Sequence, residues 1–352
     1  MLAPDLLVNP SILIIKPSSF GDVIHALPVA RAIKLAQPEI TVDWVVADNL
    51  EPLVAMSPHV DKSIPFRRAS WTKWWRPSIL ADILAQTLAM RKKEYGAVID
   101  LQGLLRSGLM TLACRGRTKS GFENAREGAA MLYDRRIRVP ETSIHAVDRY
   151  MAAIPHLGIH FSGSVGYDLF EKAEQRAWAE LALPKAPFAV VNPNSRWATK
   201  RWPLERFGAL CREIRKRFGY EIVIIGAPED AQNGAALSLL AGPGALDLTG
   251  KTTPPMLGSV FRRMEVLFSN DSGPLHLAVA VKGRTVSFFG PTDPAKTGPY
   301  GQRQLVLRSN RECSPCFKRV CPYDHECMKD ISPVAAADAW EAKGYGEDKF
   351  HG

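Results

Sequence analysis

Short, continuously aliphatic runs alternate along this chain with longer segments of helical period, and the alternation starts twice. Ile12–Ile15, Val42–Val46 and Ala97–Leu101 read as strands in the first half. Phe188–Val191, Ile222–Ile225, Glu265–Phe268 and Thr285–Phe289 read as strands in the second. Between them Val23–Ala36, Ile79–Lys93, Pro203–Phe218 and His276–Val281 have helical spacing. Strands that are apolar on both sides need cover on both faces, so the pattern predicts parallel sheets wrapped by helices. The 352 residues exceed one ordinary core, and the restart predicts an α/β chain of two Rossmann-like lobes. Glu171–Leu181 reads as a helix and Leu183–Pro187 as a linker, which puts the split near 165–185. The lobes are therefore expected at 1–175 and 176–332. A tail at 333–352, helical over Pro333–Lys343, is expected to pack back on the first lobe.

The formal net charge of +9 favours an anionic partner: nucleic acid, an acidic membrane surface or a phosphorylated substrate. No apolar run approaches the roughly 20 residues of a membrane span. "MLAPDLLVNP" lacks a basic start followed by a long apolar stretch, so a cytoplasmic protein is expected. Six cysteines in a chain this long do not suggest a disulfide scaffold.

Loops that follow parallel strands lie at the carboxyl edge of a sheet, where open α/β sheets bind ligands. "KPSSFGDV" is such a loop and offers Ser18, Ser19, Gly21 and Asp22. Asp22 fits the third position of a capping box begun by Ser19. It equally fits a carboxylate placed to accept a proton. In "NDSGPLHLAVAV", Ser272, Gly273 and the N–H groups opening the next helix suit a diphosphate. Asp271 could orient a sugar hydroxyl or the turn, and His276, one turn inside, is as readily structural as functional. "NPNSRWATKRWP" gathers Asn194, Ser195, Arg196, Lys200 and Arg201 in one loop, a mix that suits phosphate oxygens. "IIGAPED" supplies Glu229 and Asp230 for ribose or sugar hydroxyls. "GKTT" is not a Walker loop, because Ala245 stands where that motif needs glycine; Lys251 and Thr252 remain as nucleotide contacts. No G-x-G-x-x-G occurs, which excludes a standard nicotinamide site. No D-x-D pair occurs either, so cationic side chains and helix dipoles are expected to neutralise a diphosphate, with no cofactor.

Cys313, Cys316, Cys321 and Cys327 crowd one segment. They permit zinc or an iron–sulfur cluster, packed reduced thiols, or a disulfide; their spacing matches no standard metal motif, and no metal is expected. "RRASWTKWWRPS", with Arg67, Arg68, Lys73 and Arg76, suits a membrane interface, single-stranded nucleic acid or the basic rim of a packed helix.

Taken together these segments resemble glycosyltransferase family 9, the ADP-heptose:lipopolysaccharide heptosyltransferases. The resemblance covers nearly the whole chain: "KPSSFGDVIHALP", "VIDLQGLLRSG", "GFENAREGA", "HAVDRY", "NSRWATKRWP", "NDSGPLHLA" and "FGPTDPAKTGPYG" follow in order. It implies a GT-B fold, two lobes facing across a cleft, with inverting, metal-independent transfer. By resemblance Asp22 is the general base, Lys200 contacts the donor diphosphate, and Asp271, Ser272, Gly273 and His276 bind the donor. A one-residue insertion leaves Thr199 and Arg201 as rivals to Lys200. Arg106, Arg126 and the cluster Arg67, Arg68, Lys73 and Arg76 are candidates for the anionic acceptor, with Ser18, Ser19 and Gly21 beside it, which accounts for the basic charge without nucleic acid. The implied partners are ADP-heptose and Kdo2-lipid A, at the cytoplasmic face of the inner membrane. The first half resembles enzymes adding the first heptose, and the cysteine segment those adding the second. Another donor base, or a metal-stabilised nucleic-acid module, are the alternatives.

Overall fold

The computed structural model describes residues 2–67, 77–139, 144–301 and 305–343, with the backbone alone for 77–83. Arg68, Lys73 and Arg76 lie outside the described residues. The chain divides into two units, Met1–Phe170 and Glu171–Gly352, a little ahead of the expected boundary at 175.

The first unit runs α1 (Pro4–Val8), β1 (Ser11–Ile15), α2 (Phe20–Ala36), β2 (Thr41–Ala47), α3 (Glu51–Val54), β3 (Lys62–Phe66), α4 (Pro77–Met90), β4 (Glu94–Asp100), α5 (Leu105–Ala113), β5 (Arg115–Phe122), β6 (Arg135–Ile137), α6 (Ala146–Met151) and α7 (Ala153–His156). Its six strands are parallel in the order β3-β2-β1-β4-β5-β6, with Ile12 between Val42 and Ala97. Every residue of β1 is buried, as a strand covered on both faces requires.

The second unit runs α8 (Ala173–Ala182), β7 (Phe188–Asn192), α9 (Leu204–Phe218), β8 (Glu221–Ile224), α10 (Ala231–Ala241), β9 (Leu246–Asp247), α11 (Pro254–Arg263), β10 (Val266–Asn270), α12 (Gly273–Ala280), β11 (Thr285–Phe289), α13 (Pro294–Thr297), β12 (Val306–Arg308), α14 (Glu326–Lys329) and α15 (Pro333–Glu341). Its parallel sheet, β12-β11-β10-β7-β8-β9, repeats the first order in the other direction. In each sheet the winding reverses between the first and fourth strands of the unit. That reversal opens a crevice beyond the strand ends, the position where doubly wound sheets take ligands.

The core of the second unit centres on Trp202, stacked on Phe288 at 4.3 Å with Phe207 edge-on at 4.8 Å. α15 lies on α9 in the second unit, and its buried face of Ala336, Ala337 and Trp340 joins the cluster of Phe207, Ile214 and Tyr220. Arg217, near the end of α9, holds Asp338 at 2.6 Å and Glu341 at 3.2 Å. The apolar stripe on α9 thus has its own cover within the same unit.

Candidate functional site

At the first switch point, the loop after β1 meets the turn after β4. Asp22 sits in the first turn of α2, where the Ser19 N–H (3.1 Å) and hydroxyl (2.7 Å) both donate to Oδ2. The cap expected for Ser19 and Asp22 is therefore formed, through one carboxylate oxygen. Ser18 donates its N–H to Gln102 Oε1 at 3.2 Å, and Lys16 Nζ reaches the same oxygen at 3.3 Å. Gly21 follows in the opening turn of α2.

Lys16 is the residue that sequence reading missed. It is 2% exposed, with its ammonium 5.0 Å from the centre of the Tyr150 ring. Burial alone would favour loss of the proton; Tyr150, Asp22 and Asp100 outweigh it, and the pKa lies above that of an ordinary lysine. Tyr150 comes from α6, which packs on α2, where His25 and His145 meet edge to face at 5.3 Å. The turn carrying Gln102 is fixed by Asp100, which accepts from the N–H groups of Gln102 (2.7 Å) and Gly103 (3.0 Å) and from the Tyr133 hydroxyl (2.7 Å). Burial pushes the Asp100 carboxyl up despite these bonds. Gly103 has φ +69°, a left-handed conformation that favours glycine.

Two of the acceptor candidates come together. Arg126 donates its N–H to Gly103 O at 2.9 Å, beside the Gln102 turn, and Arg106 lies in the first turn of α5. Arg149, which the sequence reading did not single out, crosses the Phe122 ring at 4.5 Å; burial and the neighbouring Arg126 charge lower its pKa. Arg67 stands apart at the end of the edge strand β3, its N–H bonded to Gln86.

At the second switch point the loop after β7 meets the turn after β10. Asp271 is 4% exposed, and its Oδ2 accepts from Lys200 Nζ (2.6 Å) and the Thr292 hydroxyl (2.7 Å). His276 Nε2 stands 3.8 Å from Oδ1, within ion-pair range and beyond a hydrogen bond. Burial would raise the Asp271 pKa, but His276 and Lys200 overcome it and bring it to about 2. Lys200 keeps 17% of its side chain exposed and lies 4.7 Å over the Trp197 ring. Its rivals are engaged elsewhere: the Thr199 hydroxyl donates to Lys318 O, and Arg201 Nε to Ser195 O.

Ser272 stands at the N-terminal boundary of α12, its hydroxyl accepting from Asn192 at 2.8 Å, while Gly273 opens the helix. The Ser195 hydroxyl donates to Asp271 O, and Trp202 N–H to Asn270 Oδ1, so the two loops are stitched together. Asn194 accepts from Asn233 Nδ2 at 2.8 Å, and its own buried Nδ2 has no hydrogen-bond partner among the described residues. Beside it, Gly250 donates to Gly226 O at 2.9 Å. Gly250 has φ +72°, and a Cβ there would come 3.0 Å from Pro228 Cα, so the loops bearing Glu229 and Thr252 close onto each other only with glycine. Glu229 is exposed and Thr252 half-buried. Asp230 instead accepts the Ala227 N–H and is spent on the turn.

Cys313, Cys316, Cys321 and Cys327 line one cavity of about 30 Å³, away from these loops except for a wall at Thr199. None of the six cysteines is bonded to another in this structure. Burial and the three neighbouring thiols raise the Cys327 pKa. Among the described residues no group of three or more His, Cys, Asp or Glu side chains is arranged to hold a metal ion.

The model for glycosyltransferase family 9 (heptosyltransferase) matches residues 83–326. Lipopolysaccharide heptosyltransferase 1 of Pseudomonas aeruginosa is 31% identical over 319 residues, 89% of this chain and 87% of that protein. The protein of the same name from Escherichia coli K12 is 30% identical over 311 residues, 86% of this chain and 94% of that one. The solved structure of E. coli heptosyltransferase WaaC with ADP superposes with a TM-score of 0.79 at 26% identity, over 94% of this chain and 99% of that one. Two parallel doubly wound units, and a family match across well over half of the residues, place the chain in glycosyltransferase family 9, with the GT-B fold of its heptosyltransferases.

Proposed function

We propose that this enzyme transfers heptose from ADP-heptose to a Kdo sugar of Kdo2-lipid A, inverting the anomeric carbon without a metal, while bound peripherally to the cytoplasmic face of the inner membrane. The observation that carries the reading is that the switch point of one unit presents a carboxylate, Asp22, and that of the other an ammonium, Lys200. Asp22 takes the proton of the acceptor hydroxyl as that oxygen bonds to the anomeric carbon. The bond to the diphosphate oxygen breaks on the opposite face, and the negative charge left on ADP falls to Lys200 and the N-terminus of α12. Asp271, fixed by Thr292 and close to His276, positions Lys200. Asn194, Ser195, Glu229 and Thr252 lie on loops placed to meet the nucleoside and sugar hydroxyls. Arg106 and Arg126, joined by Arg149, supply positive charge for an acidic sugar.

Transfer of the first heptose is favoured over the second because both relatives named above are heptosyltransferase 1 proteins. Mixing the enzyme with ADP-heptose and Kdo2-lipid A tests the reading. Mass and linkage analysis should show one heptose on Kdo with the anomeric configuration reversed. Transfer only to an already heptosylated core, or only from UDP- or GDP-sugars, would replace it.

A further inference from the structure

α4 and α5 are neighbours on one face of the first sheet, tied where Arg91 Nη1 donates to Ala113 O at 2.8 Å. A surface helix normally turns polar residues to water. α5 does the opposite: Leu105, Leu109 and Leu112, one row at i, i+4 and i+7, are 44–50% exposed. On α4, Leu84 and Leu88 repeat the pattern at 59% and 54%. Met131, on the short turn that packs on α5, is 79% exposed. Isolated exposed leucines need no explanation, but rows on two adjacent helices form an apolar face.

At one end of that face cations predominate, and the exposed carboxylate there, Glu94, is matched by Arg115 and Arg117. α5 itself contains no acidic residue. Lys119 Nζ donates to Leu112 O at 2.9 Å, so its stem runs beside the row, and Arg91 and Lys92 are exposed next to it. Arg106 adds a cation in the first turn, where Glu127 accepts the Leu105 N–H. An apolar row with long cationic side chains at its edge matches the boundary between acyl chains and anionic headgroups.

We propose that the exposed α4–α5 face is where the enzyme docks on an anionic bilayer, inserting Leu84, Leu88, Leu105, Leu109 and Leu112 below headgroups held by Arg91 and Lys119. The proposal rests on the reading that the acceptor is membrane-held, and it assigns that contact to a surface. α5 starts directly after the Gln102 turn, so its docking brings the acceptor end of the first unit to the membrane.

The test uses the full chain with vesicles of phosphatidylcholine, with and without one third phosphatidylglycerol. Wild type should sediment with the anionic vesicles and much less with the neutral ones. Leu109→Glu/Leu112→Glu should partition about 100-fold more weakly, since two leucines lose their burial. Leu84→Glu/Leu88→Glu, on the other helix, should behave alike. Both pairs should keep wild-type turnover on an acyl-free Kdo saccharide, which shows that they fold, and lose about 10-fold or more on Kdo2-lipid A in vesicles. Wild type that ignores anionic vesicles, or variants that bind them as well as wild type, would overturn the proposal. So would vesicle binding that survives both substitutions while light scattering shows a dimer becoming monomer, which would assign the face to a second copy. Vesicle binding lost in the variants from a wild type that transfers no heptose to either acceptor would support the surface and remove the functional reading.

Discussion

The two units solve one topological problem with opposite charges. In each, a switch point is built from the loop after the unit's first strand and the turn after its fourth. In the first unit the buried charges are Lys16 and the carboxyl of Asp100 in the turn after β4, and the half-exposed group is the carboxylate of Asp22. In the second the buried ion is the carboxylate of Asp271, and the partly exposed one is the ammonium of Lys200. A buried charge is tolerated only with partners, and its partners here include the group presented at the loop. The comparison teaches that the fold supplies the position, while the sign of the group presented at the loop, Asp22 in one unit and Lys200 in the other, decides which chemistry is offered there.

Removing the presented carboxylate should have the largest effect. Asp22→Asn is expected to lose about 100-fold or more in turnover, with ADP affinity by calorimetry nearly unchanged; normal turnover would take Asp22 out of the mechanism. Removing the presented ammonium should do the converse. Lys200→Ala is expected to weaken ADP binding about 10- to 100-fold, the scale of a charged hydrogen bond; unaltered affinity would break the symmetry between the units.

The buried ions come next, and they should differ in how they depend on pH. The folded pKa of Asp271, about 2, lies below its unfolded value. Its stabilisation is therefore present above the unfolded pKa and lost as pH falls through the folded one. Asp271→Asn should cost about 2 kcal/mol in urea unfolding at pH 7, a gap that closes by about pH 2. A gap that persists undiminished at pH 2 would mean the ion pair is not its source. Lys16, whose folded pKa is raised, behaves with the opposite sign: its contribution is complete below the unfolded value of about 10.4 and declines only in stronger alkali. Lys16→Met should thus lower stability evenly across pH 6–9. It should reduce turnover about 10-fold by loosening the loop that holds Asp22, while leaving ADP affinity alone. An equal loss of ADP affinity would show that the two switch points do not act separately.

The central strands were legible in the sequence because burial on both faces demands unbroken aliphatic runs. The edge strands, and β5 beside the β6 edge, were not. β5 reads "RGRTKSGF", with polar residues and glycines that a partly covered strand tolerates, and β9 spans only Leu246–Asp247. Asp22, Asp271 and Lys200 could be singled out because each falls in a short polar break after an apolar run. Lys16 could not, since a lysine at a strand end ordinarily points to water. What buries it is Gln102 and Tyr150, which arrive from distant turns and are meaningful only once the chain has closed around them. Thr292 was hidden for the same reason, being recognisable only by its bond to Asp271. That α9 would be a partner of the tail helix was not legible, because an amphipathic helix announces that it needs a partner and not which one.

That last helix, α15, acts as a splint for the second unit. Trp340 closes a hydrophobic wall on α9, whose opposite end begins at the Lys200 loop, and the Trp202 indole and Arg206 guanidinium both donate to Ile331 O. A chain clipped ahead of Ser332 would strip this brace from the second unit while sparing the first, so on the proposed division of roles such trimming should first be felt as slackened grip on ADP.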